Sequence, residues 1–358
     1  MSDRSSTATR LQMAILRSVS RSFYLSIRFL PVRLRQPVAL AYLLARTTDT
    51  VADTARISRP FRRETLQTLS KAIQGKASQG AVVDLVASFA PLQEHEAERT
   101  LVELLPNCLE CLGRLETSDC LDVRAVLEKI TQGQMLDLQR FSETAEITAL
   151  PTAADLDEYT FLVAGSVGEF WTRLCFRYIR NFAALPENEM LTLGKSYGMG
   201  LQLVNILRDA GADLRAGRCY FPEEELISVG LSPAQVLSEP ERFQPIYQSW
   251  ITKAEGGLES GMQYSCAIGN RRVRAATVLP ALLGARTLAL LRDAGATALD
   301  RQVKVSRKED SVRSTSESLT QRSARDDCSG LNEERWFLTA RQRPVPAGRP
   351  APVMSYKK

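Results

Sequence analysis

The chain has 358 residues, 44% of them hydrophobic, and a formal net charge of +5 from 46 Lys and Arg against 41 Asp and Glu. A chain of this length and composition can bury the core of one large domain or two ordinary ones. The basic excess lies in residues 301–358, where Lys and Arg outnumber Asp and Glu by six, so the preceding residues carry a net charge of about −1. The body of the chain therefore offers no charge-based case for binding nucleic acid.

Apolar residues recur with helical spacing along most of the chain. Pro37 suits the first turn of the first helix, and Gly217 suits the end of the helix that precedes it. Alternating, strand-like runs are scarce. This pattern predicts an all-α fold, a single domain over residues 1–310 with its helices around a central cavity. The predicted long helices cover residues 34–57, 97–116, 121–141, 188–215 and 275–299.

The two ends of the chain and its cysteines bear on location. From about Ser311 the sequence lacks apolar periodicity and is rich in Ser, Arg and Pro, which predicts a disordered basic tail over residues 311–358. Such a tail either contacts an anionic membrane surface peripherally or stays solvated without a function. The absence of an eighteen-residue apolar run or a signal-peptide pattern predicts no transmembrane anchor. Seven cysteines without a disulfide-like framework favour the reducing cytoplasm.

Two pairs of aspartates with the same spacing stand far apart in the chain. Asp49 and Asp53 form the first pair, and Asp209 and Asp213 form the second. On a helix, residues four apart share one face, where like charges repel. A cation between them removes that cost, and oxygen ligands suit Mg²⁺, which shares its other positions with water and substrate phosphates. The pairs therefore predict two facing helices that bind a diphosphate through magnesium ions, against the alternative of two solvated helix faces.

The residues around each pair favour the magnesium interpretation. Arg46 precedes the first pair by three residues and shares its face. Gln202 and Asn205 extend the second pair into a polar stripe, while the neighbouring positions are apolar. A stripe of amides and carboxylates costs free energy to bury without a ligand. Arginines, whose planar guanidinium groups suit phosphate oxygens, follow at Arg208, Arg215 and Arg218.

Four segments, in the same order, resemble the signatures of the squalene and phytoene synthase family. They are Ser20–Phe23, Tyr42–Asp53, Tyr159–Gly168, and the stretch from Gly198 to Asp213 with Gly217–Pro222. The resemblance covers roughly residues 10–308. It implies a helical domain of the isoprenoid-synthase type and a prenyltransferase that joins two prenyl diphosphates head to head.

The resemblance also implies a role for each matching residue. Asp49, Asp53, Asn205, Asp209 and Asp213 would bind Mg²⁺, with Gln202 completing the second cluster. Tyr159 would lie near the reacting carbons. The diphosphate oxygens would be contacted by Arg46, Arg208, Arg218 and Tyr220, with Ser20 nearby, and the prenyl channel would be lined by Phe23, Val163, Ala164 and Gly168. Ala212 departs from the pattern, because many members have an acidic residue there, and this weakens the assignment of Asp213.

The glycines of the third segment admit two interpretations. Glycine inside a helix costs about 1 kcal/mol relative to alanine, so Gly165 and Gly168 need a reason to be there. They either thin the helix wall beside a prenyl chain or let another helix approach closely. Gly165 and Gly168 lack the G-x-G-x-x-G order of a dinucleotide site.

The expected activity is that of a squalene synthase. Two molecules of farnesyl diphosphate would condense to presqualene diphosphate, which NADPH would then reduce to squalene. Phytoene, dehydrosqualene and presqualene diphosphate synthases share the four segments and remain alternatives. A non-catalytic helical assembly or binding protein of the same fold is the alternative from another class, but such a protein is expected to lose aspartates or arginines that this chain retains.

Overall fold

The structure, a computed structural model, describes residues 16, 27, 30–54, 56–141 and 146–300. All of these belong to one compact unit, residues 1–304, and a second unit comprises residues 305–358. The described residues form an all-α architecture, as predicted, with one short pair of strands. Ser20, Phe23 and the predicted tail at 311–358 lie outside the described residues, so the predictions made for them stay predictions.

The part of the chain before residue 142 is helical and begins with the helix that carries the first aspartate pair. This helix, α1, spans Val32–Asp53, and a short 3₁₀ turn at Ala90–Leu92 follows the third helix. The remaining helices are α2 (Arg59–Ile73), α3 (Gln79–Phe89), α4 (Glu96–Glu103), α5 (Leu105–Gly113) and α6 (Thr117–Arg140).

The part after residue 145 contains the long helix with the second aspartate pair, α9, which spans Glu187–Arg215. It is preceded by strand β1 (Thr148–Leu150), α7 (Ala153–Thr160), a π-helical turn (Phe161–Gly165) and α8 (Ser166–Tyr178). It is followed by strand β2 (Arg218–Pro222), α10 (Glu223–Ser228), a 3₁₀ turn (Pro233–Gln235), α11 (Pro240–Ala267), α12 (Arg271–Ala294) and a 3₁₀ turn (Gly295–Leu299).

Proline and glycine explain where the helices depart from, or agree with, the predicted bounds. The predicted helix 97–116 is broken at Leu104, because Pro106 lacks the N–H that a continuous helix would need there. Pro37 lies inside α1 and not in its first turn, since the helix already starts at Val32. Gly217 adopts a positive φ of 81° just after α9 and its N–H donates to Leu214 O at 3.0 Å, which ends the helix as predicted.

A two-stranded parallel ladder was not predicted. Thr148 pairs with Arg218 and Ala149 with Cys219, before a register shift at Leu150. Strands of three and five residues are too short to give a period-two signal. The ladder fixes the chain immediately after α9, and thereby the position of Arg218.

Glycines bring the central helices into close contact. A Cβ built on Gly168 of α8 would lie 1.9 Å from the backbone O of Gly194 on α9, and one built on Gly198 would lie 2.3 Å from Ala164 O. Farther along α9, a Cβ on Gly200 would lie 2.7 Å from the Cα of Gly257 on α11. Close helix packing is therefore an observed use of these glycines, and Gly168 also lies on the cavity wall.

The hydrophobic core forms two clusters. One is built mainly from α1 to α6 and α8, and the other from α9, β2, α11 and α12. A cavity of about 1270 Å³ is lined by residues of both halves, including α1, α6, α8, α9 and α12. This agrees with the predicted arrangement of helices around a central cavity.

Helix α12 bears on the predicted absence of a transmembrane segment. By length and composition alone, Arg271–Leu299 could cross a membrane, with a mean hydropathy of 1.3 over its most apolar window, of which 33% is buried. The prediction relied on uninterrupted apolar runs, and arginines interrupt this one. One such helix is weak evidence for a span, because a core helix passes the same test. In the structure α12 packs against α11 and α9.

Candidate active site

The cavity is polar on one part of its wall and apolar elsewhere. Asp49 and Asp53 on α1, Asp137 on α6 and Arg218 on β2 lie on the polar part. The apolar remainder is lined by aliphatic and aromatic side chains, among them Leu30, Val38, Ile130, Leu138, Phe141, Phe170, Trp171 and Leu201. A concave site with a few converging charged groups on an apolar wall is the usual form of a small-molecule site.

The first aspartate pair carries a charge that the protein compensates only partly. Burial, and after it the neighbouring charge of Asp53, raise the pKa of Asp49 to about 6 against smaller opposing effects of Arg46 and of a 2.5 Å hydrogen bond from Gln134 Nε2. Burial also raises the pKa of Asp53, whose side chain is open to the cavity but surrounded by protein, while Arg218 opposes this shift. A cation at this position would relieve both shifts.

The polar stripe of α9 reaches the cavity only in part. Gln202 and Asn205 line the cavity, and Asn205 Nδ2 donates to Gln202 Oε1 at 3.4 Å. The second aspartate pair, one and two turns farther along, is not among the lining residues. Arg208 binds Asp209 through two hydrogen bonds of 3.0 and 2.5 Å, and Arg218 Nη2 donates to Asp213 at 2.6 Å.

The two aspartate pairs are nevertheless electrostatically coupled. Burial raises the pKa of Asp213, Arg218 opposes this shift, and the charges of Asp209 and Asp53 add to it. Arg218 also acts on Asp53, from the other helix. The guanidinium of Arg218 therefore influences both aspartate pairs. Arg218 and the first pair line the cavity, whereas the second pair does not.

Asp137 is a third carboxylate on the cavity wall, in addition to Asp49 and Asp53, and the sequence analysis did not predict it as a site residue. Tyr220 donates its hydroxyl to Asp137 Oδ2 at 2.5 Å, and burial raises the pKa of Asp137 to about 7 against the opposing effects of that hydrogen bond and of Arg218. Tyr220 is buried behind this contact and does not line the cavity. The available signal was the polar pair Gln134 and Asp137, three residues apart on an otherwise apolar stretch of α6.

Tyr159 lines the cavity next to this carboxylate. Its ring centroid lies 5.2 Å from that of Tyr220, at an interplanar angle of 30°. Burial, and then the charge of Asp137, raise the pKa of Tyr159 well above its ordinary value. The hydroxyl therefore stays protonated at neutral pH, and the side chain offers a neutral oxygen and an aromatic face.

The arginines that line the cavity are only partly those that the sequence analysis named. Arg46 does not line the cavity but forms a 3.0 Å ion pair with Glu98 of α4. Arg59 and Arg62 of α2 do line it, and Arg62 Nη1 donates to Ala52 O at the end of α1 at 2.7 Å. The sequence signal for these two was the run of arginines that follows the first aspartate pair.

The third signature segment forms another part of the wall. Val163, Ala164 and Gly168 line the cavity, and so does Trp171, to which the sequence analysis assigned no role. Their contact with a prenyl chain stays a prediction. The segment contains the π-helical turn, and such turns are frequent at functional sites.

Two other sequence features are structural. The neighbouring cysteines Cys108 and Cys111 are buried in the core. His95, the one histidine in the chain, is exposed before α4. Within the described ranges, no group of three or more His, Cys, Asp or Glu side chains is close enough to hold a metal ion without further ligands.

The fold and this site define a class of protein: a helical bundle around a largely apolar cavity with carboxylates on its wall. The family model described as squalene/phytoene synthase matches residues 16–309, so the chain belongs to that family. Members of the family are prenyltransferases that join prenyl diphosphates head to head.

Individual relatives cover more than one product. The chain is 30% identical over 239 residues to a bifunctional lycopene cyclase/phytoene synthase of Leptosphaeria maculans, covering 66% of this chain and 38% of the relative. It is 33% identical over 216 residues to the squalene synthase of Saccharomyces cerevisiae, covering 59% of this chain and 44% of the relative. The chain thus spans about two fifths of the length of these curated relatives.

Solved structures share the fold. TcSQS in complex with the ligand BPH1237 has a TM-score of 0.68 at 22% identity, covering 86% of this chain and 85% of that chain. A dehydrosqualene synthase in complex with a ligand has a TM-score of 0.57 at 21% identity, covering 88% and 98%. At these identities the likeness concerns the fold.

Proposed function

We propose that the chain is a squalene synthase, which condenses two farnesyl diphosphates head to head through presqualene diphosphate. The observation that supports this most is a cavity of about 1270 Å³ that is lined by the first aspartate pair, Asn205 and Arg218, and whose remaining wall is largely apolar. The polar part suits a diphosphate, and the apolar part suits two prenyl chains.

Magnesium fits the residues present. Asp49 and Asp53 offer oxygen ligands whose mutual repulsion and burial raise their pKa values, which is the situation a divalent cation relieves. They would hold Mg²⁺ in the first cluster, and Asn205, Asp209 and Asp213 would do so in the second. When bound, the ion supplies charge neutralisation at the leaving diphosphate.

The first chemical step is ionisation of one farnesyl diphosphate. Its allylic carbon–oxygen bond breaks, and the electron pair leaves with the diphosphate. Arg218, with Arg59 and Arg62, which line the same cavity, stabilises the charge that develops on the leaving oxygens. The apolar wall excludes water, which would otherwise capture the carbocation.

The second step joins the two chains. The double bond of the second farnesyl diphosphate donates its electrons to the allylic cation, a proton is lost, and the cyclopropane ring of presqualene diphosphate closes. Tyr159 keeps its proton here because of its raised pKa, and its ring can stabilise nearby positive charge.

In the proposed reaction, NADPH reduces presqualene diphosphate to squalene. The glycines Gly165 and Gly168 lie at the junction of a π-helical turn and α8, and among the described residues they do not form the strand–turn–helix unit of a dinucleotide site. The described residues therefore do not fit NADPH bound in that way.

Phytoene synthesis from geranylgeranyl diphosphate is the second candidate. It is favoured by the relatives of about 30% identity, several of which are bifunctional lycopene cyclase/phytoene synthases. Dehydrosqualene and presqualene diphosphate are further products of the same cavity chemistry.

Product analysis tests the proposal. Purified protein is incubated with Mg²⁺ and farnesyl diphosphate, with and without NADPH, and in parallel with geranylgeranyl diphosphate. Squalene only with NADPH, and presqualene diphosphate without it, supports the proposal. Presqualene diphosphate in both reactions would limit the activity to the first half, whereas phytoene from the longer substrate alone would select the second candidate.

A binding assay separates an enzyme from a non-catalytic relative of the same fold. Mg²⁺ together with farnesyl thiodiphosphate, which ionises poorly, is expected to raise the melting temperature, because a ligand that binds only the native state stabilises it. An unchanged melting temperature at saturating ligand, combined with no product from either substrate, would favour the assembly or binding protein.

We also propose a cytoplasmic location with peripheral contact at the inner membrane surface. The body of the chain has almost no net charge, and the excess of basic residues lies in 301–358. Removing residues 311–358 is expected to leave activity in solution nearly unchanged. Fractionation of cells that express the full and shortened chains tests whether membrane contact depends on the tail.

A further inference from the structure

The outer face of α12 is an exposed apolar strip. Ala275, Ala276, Leu279, Pro280 and Leu283 are all exposed, and their spacing places them on one side of the helix. Leu279 is 40% exposed and Leu283 is 38% exposed. Single exposed leucines are ordinary, but a continuous exposed apolar strip marks a surface that contacts a lipid, a ligand or another protein.

The opposite face of the same helix is buried. Val273, Ala281, Leu288 and Leu291 belong to the core and pack toward α11 and α9. The helix is therefore apolar on both sides, which explains a mean hydropathy of 1.3 in a window that is only one-third buried. Core packing explains why the inner side of the helix is apolar, but it does not explain the apolar residues of the outer side.

The apolar strip continues into the wall of the cavity. Ala276 and Pro280 of α12 line the cavity and are solvent-exposed, although their spacing also places them on the side of the helix that carries the strip. Val167, on α8, lines the cavity as well and is 39% exposed. These apolar side chains thus connect the strip with the cavity wall.

Positive charge flanks the strip. Arg271 and Arg272 are exposed at the start of α12, and Arg286 follows Leu283 by three residues. From Arg271 onward the helix contains no acidic residue until Asp293. An apolar face flanked by basic side chains is the pattern of a helix that lies in the interface of an anionic membrane.

The composition of the strip favours lipid over a protein partner. Between Ala275 and Leu283 the exposed positions carry no side-chain hydrogen-bond donor or acceptor, and Thr277, the polar residue of this stretch, is buried. Protein interfaces normally add directional hydrogen bonds to their apolar contacts, whereas a lipid surface requires none.

We propose that the exposed face of α12 docks onto an anionic lipid bilayer, and that the cavity opens toward the bilayer beside Val167, Ala276 and Pro280. The docking itself does not depend on the reaction. Its use, delivery of a water-insoluble hydrocarbon from the cavity directly into the bilayer, rests on the proposed function.

Vesicle sedimentation tests the docking without any substrate. The full chain is mixed with vesicles of phosphatidylcholine, or of equal parts phosphatidylcholine and phosphatidylglycerol. We expect binding to the anionic vesicles that weakens as salt is added. The double variant L279D/L283D should bind at least about tenfold more weakly, because two apolar side chains no longer enter the interface.

Control variants test whether a loss of vesicle binding is specific to the exposed face of α12. Leu121→Asp changes a leucine of α6 that is 60% exposed, and it should bind vesicles like the parent chain. Arg272→Gln should weaken binding only to the anionic vesicles. Circular dichroism checks that each variant keeps its helix content.

Three outcomes would overturn the proposal. They are equal binding of L279D/L283D and the parent chain, equal loss in the Leu121→Asp control, and resistance of the bound chain to alkaline carbonate extraction, which would indicate a membrane span. Because the assay contains no prenyl diphosphate, failure of the proposed reaction would leave its result intact. In active protein, vesicles should increase steady-state turnover of the parent more than that of L279D/L283D.

Discussion

Replacing Asp49 by asparagine should stabilise the protein while removing its activity. Burial, with a smaller contribution from the charge of Asp53, raises the pKa of Asp49 from 3.8 to about 6. At 1.36 kcal/mol per unit, the ionised carboxylate costs the folded state up to about 3 kcal/mol relative to the unfolded chain. Asparagine has nearly the same shape and carries no charge, so Asp49→Asn should recover much of that free energy.

The stability gained by Asp49→Asn must depend on pH in a defined direction. A folded-state pKa above the unfolded value means that the native state binds the proton more tightly, so this group lowers stability as pH rises from about 4 to about 6. The full penalty is then present at neutral and alkaline pH. The gain from Asp49→Asn should therefore be largest near neutral pH and should vanish at and below about pH 4.

Urea unfolding with chelator present measures this gain, and product formation with Mg²⁺ measures the loss of activity. Turnover of Asp49→Asn should fall at least about a hundredfold, as for loss of one preorganised electrostatic contact. Asp84→Asn, a change of an exposed carboxylate on α3, is the matched control and should affect neither measurement. A less stable Asp49→Asn protein at neutral pH, or one with parental turnover, would refute the reasoning.

Three further substitutions test other parts of the site. Asp209→Asn should abolish product formation while circular dichroism shows unchanged helix content, and parental turnover would exclude the second pair from metal binding. Tyr220→Phe removes the hydroxyl that donates to Asp137, which should raise that carboxyl's pKa further above about 7 and cost roughly 1–3 kcal/mol of unfolding free energy in urea. Gly168→Ala places a Cβ 1.9 Å from a backbone oxygen of α9 and should cost about 1–3 kcal/mol or more, whereas Gly256→Ala, with no atom within 4 Å of its Cβ position, should leave the melting temperature unchanged or raise it.

The sequence could predict those parts of the site that repeat along one helix. The spacing of Asp49 and Asp53, and of the stripe from Gln202 to Asp213, is a local property, and both lie on helices close to the predicted bounds. The all-α fold follows from the same periodicity. Local spacing also limited the prediction, because it says which residues share a face and not which side chain that face meets.

Asp137 shows that limit most clearly. It is 88 positions from Asp49 in the chain, and the polar pair that it forms with Gln134 on its own helix does not reveal the charged groups that it meets. Its role depends on Tyr220, which the short β1–β2 ladder brings against α6. Arg59 and Arg62 were missed for the same reason, since their approach to the cavity depends on how α2 turns back after α1.

Two arginines of the site form ion pairs with the second aspartate pair. Arg208 and Arg218 bind the carboxylates of the second aspartate pair at 2.5 and 2.6 Å, so each guanidinium lies beside a carboxylate where a divalent cation would also be attracted. If Mg²⁺ binds those carboxylates, the guanidinium groups lose their partners and can turn to the phosphate oxygens that arrive with the ion. The uncompensated charge at Asp49 and Asp53 acts in the same direction, because it makes the folded state more stable with the cation and diphosphate than without them. Binding of metal and of diphosphate should for this reason be cooperative, each supplying the charge that the other requires.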